Sequence, residues 1–179
     1  MPAKKSYLVL SALGEDRSGI VDQLSKAILD LDCNINDSRM TVLGGEFAIM
    51  LMIEGNWNSL AKLESNCALL EHQLGLKIMV KQTKGRKRES DLLPYEVDAV
   101  ALDHPGIVHQ LANFFSRRKI NIEEMATSSY TAVHTGTPMF SVHIVVSIPA
   151  DVHIASLREE FMEFCDATNL DAVLEPIKL

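Results

Sequence analysis

Two short segments of this chain carry residue types that suit the binding of a small charged molecule: Asp16-Arg17-Ser18-Gly19-Ile20 and Asp103-His104-Pro105-Gly106-Ile107. In each segment a glycine lies where a predicted strand gives way to a predicted helix. Glycine lets the backbone approach a ligand closely, and the first N–H groups of the helix can bind a carboxylate. Asn34 and Asn121 follow at equal distances from the two glycines, and an amide both donates and accepts hydrogen bonds. This combination suits a zwitterionic ligand such as an amino acid.

The same segments have a simpler, structural interpretation. An Asp-x-x-Gly sequence before a helix also serves as a cap and a turn, in which Asp16 or Ser18 accepts hydrogen bonds from the first amides of the helix. Ligand binding and helix capping therefore remain alternatives at this level.

Both segments belong to a long internal repeat. At a constant spacing of 87 residues, identical residues recur without a gap at Ala12/Ala99, Asp16/Asp103, Gly19/Gly106, Ile20/Ile107, Val21/Val108, Gln23/Gln110, Leu24/Leu111, Asn34/Asn121 and Ile35/Ile122. A period this long corresponds to one domain per copy. The 179 residues are predicted to form a first domain at 1–84, a basic linker at 85–93 and a second domain at 94–179. Because small domains bury marginal cores, the copies are expected to pack on each other or in a homodimer.

Hydrophobic periodicity predicts the order βαββαβ in both copies. In the first copy it predicts strands at 7–13, 33–43, 46–53 and 76–83, a helix from residue 20, and a second helix between a capping Asn58 and a terminating Gly75. In the second copy it predicts strands at 95–102, 120–133, 139–148 and 170–177, with helices at 106–118 and 152–168. Asn169 replaces Gly75 as the residue that ends the last helix.

The predicted fold class is α+β, with two ferredoxin-like domains that each have an antiparallel sheet and both helices on one face. The apolar run at 47–53 indicates that the other face of the first sheet is partly covered. Met50, Met52 and Met79 are expected to fill gaps in the core. Six residues have entered the second hairpin around 131–138, which predicts a longer surface loop suited to a contact specific to that copy.

The Asp-x-x-Gly loop followed by Asn-Ile, which occurs in both copies, resembles the mark of the ACT-domain family. The resemblance covers nearly the whole chain and implies a regulatory module that binds a small ligand at these loops. Ser18 departs from the family pattern, which has proline at this place, so the first loop is expected to be less rigid. The residues implied to bind the ligand are Asp16, Arg17, Ser18, Gly19, Ile20, Asn34, Asp103, His104, Gly106, Ile107 and Asn121.

Longer strings give a narrower resemblance, to a family of transcriptional repressors of glycine cleavage that consist of two ACT domains and little else. These strings are Tyr7-Leu8-Val9 through Leu13-Gly14, the segment from Cys33 to Met40, and Glu46-Phe47 leading to Trp57-Asn58. The resemblance implies glycine or a similar small amino acid as ligand and a transcription activator as protein partner. It implies no cofactor and no direct contact with nucleic acid.

Charge also argues against direct binding to nucleic acid. The chain has 17 Lys and Arg against 24 Asp and Glu, for a formal net charge of −7, whereas a grip on phosphates needs clustered basic residues. RNA-recognition modules share the βαββαβ order but display aromatic residues on their central strands. The strands at 46–53 and 139–148 each offer a single aromatic residue amid aliphatic ones, Phe47 and Phe140. An RNA-binding module is therefore the second hypothesis.

Catalytic and metal-binding patterns are not found in the sequence. It contains no GxSxG, HExxH, P-loop or GxGxxG string, so an enzyme, or a detached regulatory subunit of an amino-acid enzyme, is the third hypothesis. His104 and His109 are five residues apart and are not expected to share a helix face as metal ligands would. His143 is expected to be a hydrogen-bonded core or interface residue, and Trp57 a packing residue.

The cysteines and the hydropathy pattern predict the compartment. Cys33, Cys67 and Cys165 are widely spaced and form no CxxC pair, which is typical of buried thiols in a reducing cytosol. No apolar run approaches the 18 residues or so of a membrane-spanning helix. The sequence therefore predicts a cytoplasmic protein without membrane contact.

Overall fold

The computed structural model describes residues 5–85 and 91–177. It divides the chain into two compact units, Met1–Lys87 and Arg88–Leu179. Residues 86–90, most of the predicted basic linker, lie outside the described residues. The first strand of the second unit begins at Leu92, earlier than the predicted residue 95, and includes Pro94.

The first unit contains six elements in the order βαββαβ: β1 Ser6–Glu15, α1 Ile20–Leu29, β2 Asn34–Leu43, β3 Glu46–Gly55, α2 Trp57–Leu74 and β4 Leu76–Thr83. Its strands form one antiparallel sheet in the order β2-β3-β1-β4, which we call sheet 1. The edge strands are therefore β2 and β4.

The second unit repeats this arrangement: β5 Leu92–Leu102, α3 Ile107–Arg117, β6 Asn121–Thr131, β7 Pro138–Pro149, α4 Ile154–Thr168 and β8 Asp171–Pro176. Its antiparallel sheet, sheet 2, has the order β6-β7-β5-β8. The predicted α+β class, with two ferredoxin-like βαββαβ units, is confirmed.

Each unit has its own core between the helices and one face of its sheet. In the first unit, alternate residues of β1, namely Leu8, Leu10 and Ala12, are buried together with the apolar stripe of α1. Alternation in the strand and a period of 3.6 in the helix place these side chains on facing surfaces. Each large side chain so buried stabilises the fold by about 1.5–3 kcal/mol.

The second core differs by its aromatic content. Phe114 on α3 packs edge-on against Phe115 and Phe161, with both pairs of ring centroids 5.2 Å apart. Phe161 and Phe164 come from α4, so these rings join the two helices of the unit.

The helix ends follow the predicted chemistry in part. Gly75 and Asn169 end α2 and α4 in the left-handed conformation, with φ of 68° and 54°, as predicted. The predicted cap of α2 at Asn58 is wrong, because Asn56 is the N-cap and its Oδ1 accepts from the Ser59 N–H. Two asparagines lie two residues apart here, and periodicity does not distinguish them.

We call the face of each sheet that points away from the helices its outer face. In the first unit this outer face is partly apolar. Met50, Met52 and Met79 project from it, and Met50 and Met79 are 55% and 72% exposed, so the prediction that these methionines fill gaps in the core is wrong. Strand alternation decides this, because their strand neighbours Leu51 and Ile78 point toward the helices. Trp57, expected to pack, is 74% exposed at the start of α2.

Candidate functional site

Both predicted binding segments form the turn between the first strand and first helix of their unit. Gly19 and Gly106 are the N-cap residues of α1 and α3, with φ of 82° and 101°. This left-handed conformation favours glycine because other residues would bring Cβ against the backbone.

The prediction that Asp16 or Ser18 caps α1 is wrong. No side chain caps α1 or α3, whereas Asn56 caps α2 and the His153 ring caps α4. A glycine at the N-cap position has no side-chain acceptor to offer. The first amides of α1 and α3 therefore lack a side-chain partner at the cap and carry the partial positive charge of a helix N-terminus.

Each loop is tied to the neighbouring hairpin by its backbone. The Asp16 N–H donates to the Gly45 carbonyl at 3.0 Å, and the Asp103 N–H donates to the Pro138 carbonyl at the same distance. The two carboxylates themselves are exposed. Asp16 and Asp103 thus position their loops through the main chain.

The loops differ at their second residue. Arg17 donates from Nη2 to Gln23 Oε1 at 2.8 Å and to the Leu74 carbonyl, at the end of α2, at 3.2 Å. His104 replaces Arg17 in the second unit and is too short to repeat this bridge. Of the buried side-chain nitrogen and oxygen atoms in the described residues, Gln110 Oε1, the counterpart of Gln23 Oε1, lacks a hydrogen-bond partner.

A cavity of about 440 Å³ opens beside the second loop. It is bounded by the loop, by one flank of α3 and by the start of β7. Its lining residues are His104, Gly106, Ile107, Val108, His109, Ala112 and Phe140. Most of this lining is apolar, and the polar groups at hand are the two imidazoles and the uncapped start of α3.

Asn34 and Asn121 lie at the opposite end of their sheets from the loops. Asn34 pairs with Glu54 of β3, whereas Glu15, immediately before the first loop, pairs with Glu46. These positions on β3 are eight residues apart, or about 26 Å along the strand. In the second unit, Asn121 pairs with Ser147 of β7, whereas the end of β5, just before the second loop, pairs with Met139. These two positions on β7 are also eight residues apart. The structure does not bring loop and asparagine together within either unit.

The asparagine side chains have local partners at a strand irregularity. Asn34 Nδ2 donates to Asn36 Oδ1 at 3.1 Å, and Asn121 Nδ2 donates to Glu123 Oε1 at 2.8 Å. Asn36 and Glu123 are the residues at which the pairing register of β2 and β6 shifts. Their position explains why an asparagine recurs in both copies, because its amide supports the bulge.

Asn36 also extends this cluster to Glu54, donating from Nδ2 to Glu54 Oε2 at 2.8 Å. Hydrogen bonds from Lys5 and Asn36 lower the pKa of the Glu54 carboxyl. This end of the first unit is a structural polar cluster that holds β2 to β3.

Of the predicted site residues, His104, Gly106 and Ile107 line the cavity. Sequence reasoning missed Val108, His109, Ala112 and Phe140. A spacing of five residues would place His104 and His109 on different faces of one helix, but His104 precedes α3, so helical spacing does not apply to the pair. In the sequence, the only signal for Phe140 is that it is the repeat counterpart of Phe47.

Other predicted features can be placed as well. Among residues 5–85 and 91–177, no group of three or more His, Cys, Asp or Glu is arranged to hold a metal ion. His143 is hydrogen-bonded, as predicted, with its Nδ1 2.7 Å from Asp98 Oδ1, but it lies on the outer face of sheet 2 and not in the core. Phe47 is wholly buried toward the helices, so sheet 1 does not display it as a platform for bases.

The described residues include four helices, α1 to α4. None of these helices combines the length and the apolar character needed to cross a bilayer.

The chain is similar to known proteins in sequence and in structure. Residues 6–81 match the model of the ACT domain. The chain is 29% identical to the glycine cleavage system transcriptional repressor of Escherichia coli K12, over 93% of this chain and 88% of the relative. These similarities support a regulatory role.

Two solved structures match the whole chain. A crystal structure provisionally named a glycine cleavage system transcriptional repressor is 27% identical, with a TM-score of 0.77, covering 99% of this chain and 100% of that one. An unknown protein from Galdieria sulphuraria shares the fold at 24% identity and a TM-score of 0.79, covering 98% of this chain and 100% of that one. Residues 6–81 thus match the ACT domain, and the chain as a whole is similar to the glycine cleavage system transcriptional repressor.

Proposed function

We propose that this protein is a regulator of transcription that binds a small amino acid, glycine or a close relative, and acts through a partner activator. The observation that carries the proposal is that α3 begins without a side-chain cap at a cavity of about 440 Å³. The similarity to a glycine cleavage repressor over 93% of the chain supports the regulatory assignment and favours glycine as ligand.

The ligand carboxylate would meet the N-terminus of α3. Gly106 leaves this approach open, because a Cβ at this position would contact nothing within 4 Å. The amides that follow it attract an anion through the helix dipole, and imidazole N–H groups of His104 and His109 can add hydrogen bonds. The cavity is larger than glycine, so small aliphatic amino acids belong in the same test.

We propose that the ligand binds at the second loop in preference to the first. In the first unit, Arg17 bridges the loop to Gln23 and to the end of α2, and Phe47 is wholly buried. The residues Asp16 to Ile20 therefore form the weaker candidate. Asn34 and Asn121 lie about 26 Å along the strand from the loops of their own units, so the proposed site at each loop does not include the asparagine of the same unit.

Isothermal titration calorimetry with glycine, alanine, serine and valine tests the proposal. Ala112 lines the cavity, and its repeat counterpart in the first unit is Ser25. Ala112→Phe is expected to fill the cavity and abolish the binding heat. Ser25→Phe is expected to leave the binding heat within twofold of the wild-type value. Full binding by a folded Ala112→Phe variant, or no binding of any amino acid by the wild type, would contradict the assignment.

The partner step needs a separate experiment. A ligand changes partner binding only as far as its affinity differs between two states of the protein, and couplings of about 1–3 kcal/mol are usual. Pull-down of the glycine-cleavage activator, with and without glycine, is expected to show a several-fold change. A gel shift with the purified protein alone on the operator is expected to show no complex, and a sequence-specific complex would overturn the mechanism.

A further inference from the structure

The two units carry very different charges. Residues 1–87 contain 11 Lys and Arg against 10 Asp and Glu, a net charge of +1. Residues 88–179 contain 6 against 14, a net charge of −8, so the second unit accounts for the whole excess of acid. Such an asymmetry steers association between unlike surfaces.

The outer face of sheet 1 combines exposed apolar side chains with lysines. Lys77, Met79 and Lys81 project from β4 and are all exposed. They continue onto β1 and β3 through Leu13 and Met50, which are more than half exposed. Contiguous exposed apolar residues of this kind mark a contact surface.

The outer face of sheet 2 is acidic. Asp171, Val173 and Glu175 project from β8 and are exposed, and the neighbouring strand β5 adds Glu96 and Asp98 on the same face. Val173 is 53% exposed between the two acids.

The exposed residues of β4 and those of β8 are counterparts in the internal repeat, but their charges are reversed. At the spacing of 94 that relates the last strands of the units, Lys77 corresponds to Asp171, Met79 to Val173 and Lys81 to Glu175. Within residues 5–85 and 91–177, Lys77, Lys81, Asp171 and Glu175 form no ion pair. Each face thus presents an apolar residue between two like charges, and the two faces are complementary in sign.

The edge of β4 is less suited to docking than its outer face. Glu71 Oε1 accepts a hydrogen bond of 2.8 Å from the Ile78 N–H, which points away from β1. A side chain therefore already covers part of the backbone edge that another strand would need. Contact through the outer face uses the exposed lysines and methionines and leaves this hydrogen bond in place.

We propose that the outer face of sheet 1 docks on the outer face of sheet 2 in a second copy of this chain. In the proposed dimer a two-fold axis relates the chains, so that each presents both faces to its partner and two equivalent contacts form. Sheets that pack face to face bury the apolar residues between them, while the charges at the β4 and β8 margins set orientation and specificity. The inference is independent of the ligand assignment.

Sedimentation equilibrium of the 179-residue chain, at low and at high salt, tests this dimer. Lys77→Glu with Lys81→Glu is expected to raise the dimer dissociation constant about tenfold or more through like-charge repulsion. Asp171→Lys with Glu175→Lys is expected to do the same. The fourfold variant, which exchanges the two charge patterns, is expected to restore dimerisation toward the wild-type value.

The control variant makes the same change of charge as Lys77→Glu with Lys81→Glu, but on the helices of the first unit. Lys26→Glu with Lys62→Glu alters two exposed helical lysines and is expected to leave the dissociation constant within about threefold. Circular dichroism confirms that each variant is folded. A wild type that stays monomeric at all concentrations overturns the proposal, and so does a dimer that is indifferent to both charge reversals or is not restored by their combination.

Discussion

Phe47 and Phe140 occupy equivalent positions in the two sheets, but Phe47 is wholly buried whereas Phe140 lines a cavity. Their neighbours on the edge strands differ, because Val42 lies opposite Phe47 and Ser129 lies opposite Phe140. Directly paired residues point to the same face of a sheet, and serine covers less of an aromatic ring than valine does. The smaller neighbour leaves Phe140 accessible, while Phe47 is completely buried.

Exchanging these neighbours is expected to move the accessible ring from one unit to the other. Ser129→Val should cover Phe140 and weaken amino-acid binding several-fold by narrowing the cavity. Val42→Ser should lower the free energy of unfolding by about 1–2 kcal/mol, because it exposes apolar surface of Phe47. Calorimetry measures the first effect and urea denaturation the second. Unchanged binding by Ser129→Val would show that the ligand does not use this side of the cavity.

The bridge made by Arg17 is expected to stabilise the first unit. Arg17→Ala removes its hydrogen bonds to Gln23 and to the Leu74 carbonyl, and should lower the free energy of unfolding by about 0.5–1.5 kcal/mol. His104→Arg is the reciprocal change, because it offers the buried Gln110 Oε1 a donor. This variant should be more stable than the wild type in urea denaturation. A loss of stability would show that the second loop cannot adopt the path of the first.

Gly106 is expected to be essential to the second loop. At φ of 101°, an L-residue is strained by about 1–3 kcal/mol, so Gly106→Val should both destabilise the start of α3 and obstruct the approach to its amides. His143→Ala, on the outer face of sheet 2, is the control that should leave binding unchanged apart from any loss of stability. Normal glycine binding by a folded Gly106→Val variant would remove the second loop from the site.

Gly14 marks a close approach between β1 and the end of α2. A Cβ on Gly14 would lie 2.8 Å from the Gly75 carbonyl oxygen and 2.8 Å from Leu76 Cδ2. Gly14→Ala should therefore lower the free energy of unfolding by about 1–3 kcal/mol through overpacking. Gly45→Ala is the matched control, because its Cβ would meet nothing within 4 Å. Similar melting temperatures for the two variants would contradict this account.

Cys165 is expected to be unreactive in the folded protein. Burial, followed by the charges of Asp166 and Asp171, raises the pKa of its thiol to about 11 from the usual 9.0. Between these two values the unfolded chain loses the proton first, so stability should fall as the pH rises from about 9 to 11. Cys165→Ser should flatten this decline in urea denaturation. Rapid labelling of Cys165 by a thiol reagent at pH 8 in the native state would contradict the burial.

Much of the fold follows from local patterns. Two copies of βαββαβ were predictable because apolar residues recur with a period of two in the strands and 3.6 in the helices, and because Gly75 and Asn169 end their helices. The repeat itself located both turns between the first strand and the first helix, since Gly19 and Gly106 are the residues that each turn requires.

Tertiary structure decided which of these residues meet. The sequence places Asn34 and Asn121 beside the loops by motif alone, but antiparallel pairing carries each asparagine to the far end of its sheet. Equally, strand alternation turned Met50 and Met79 outward, although each lies between two apolar residues in the sequence. A motif records spacing along the chain, whereas a site depends on the direction of each strand and the face each side chain takes. For that reason Phe140 and His109, which lie outside both predicted motifs, line the cavity beside Gly106.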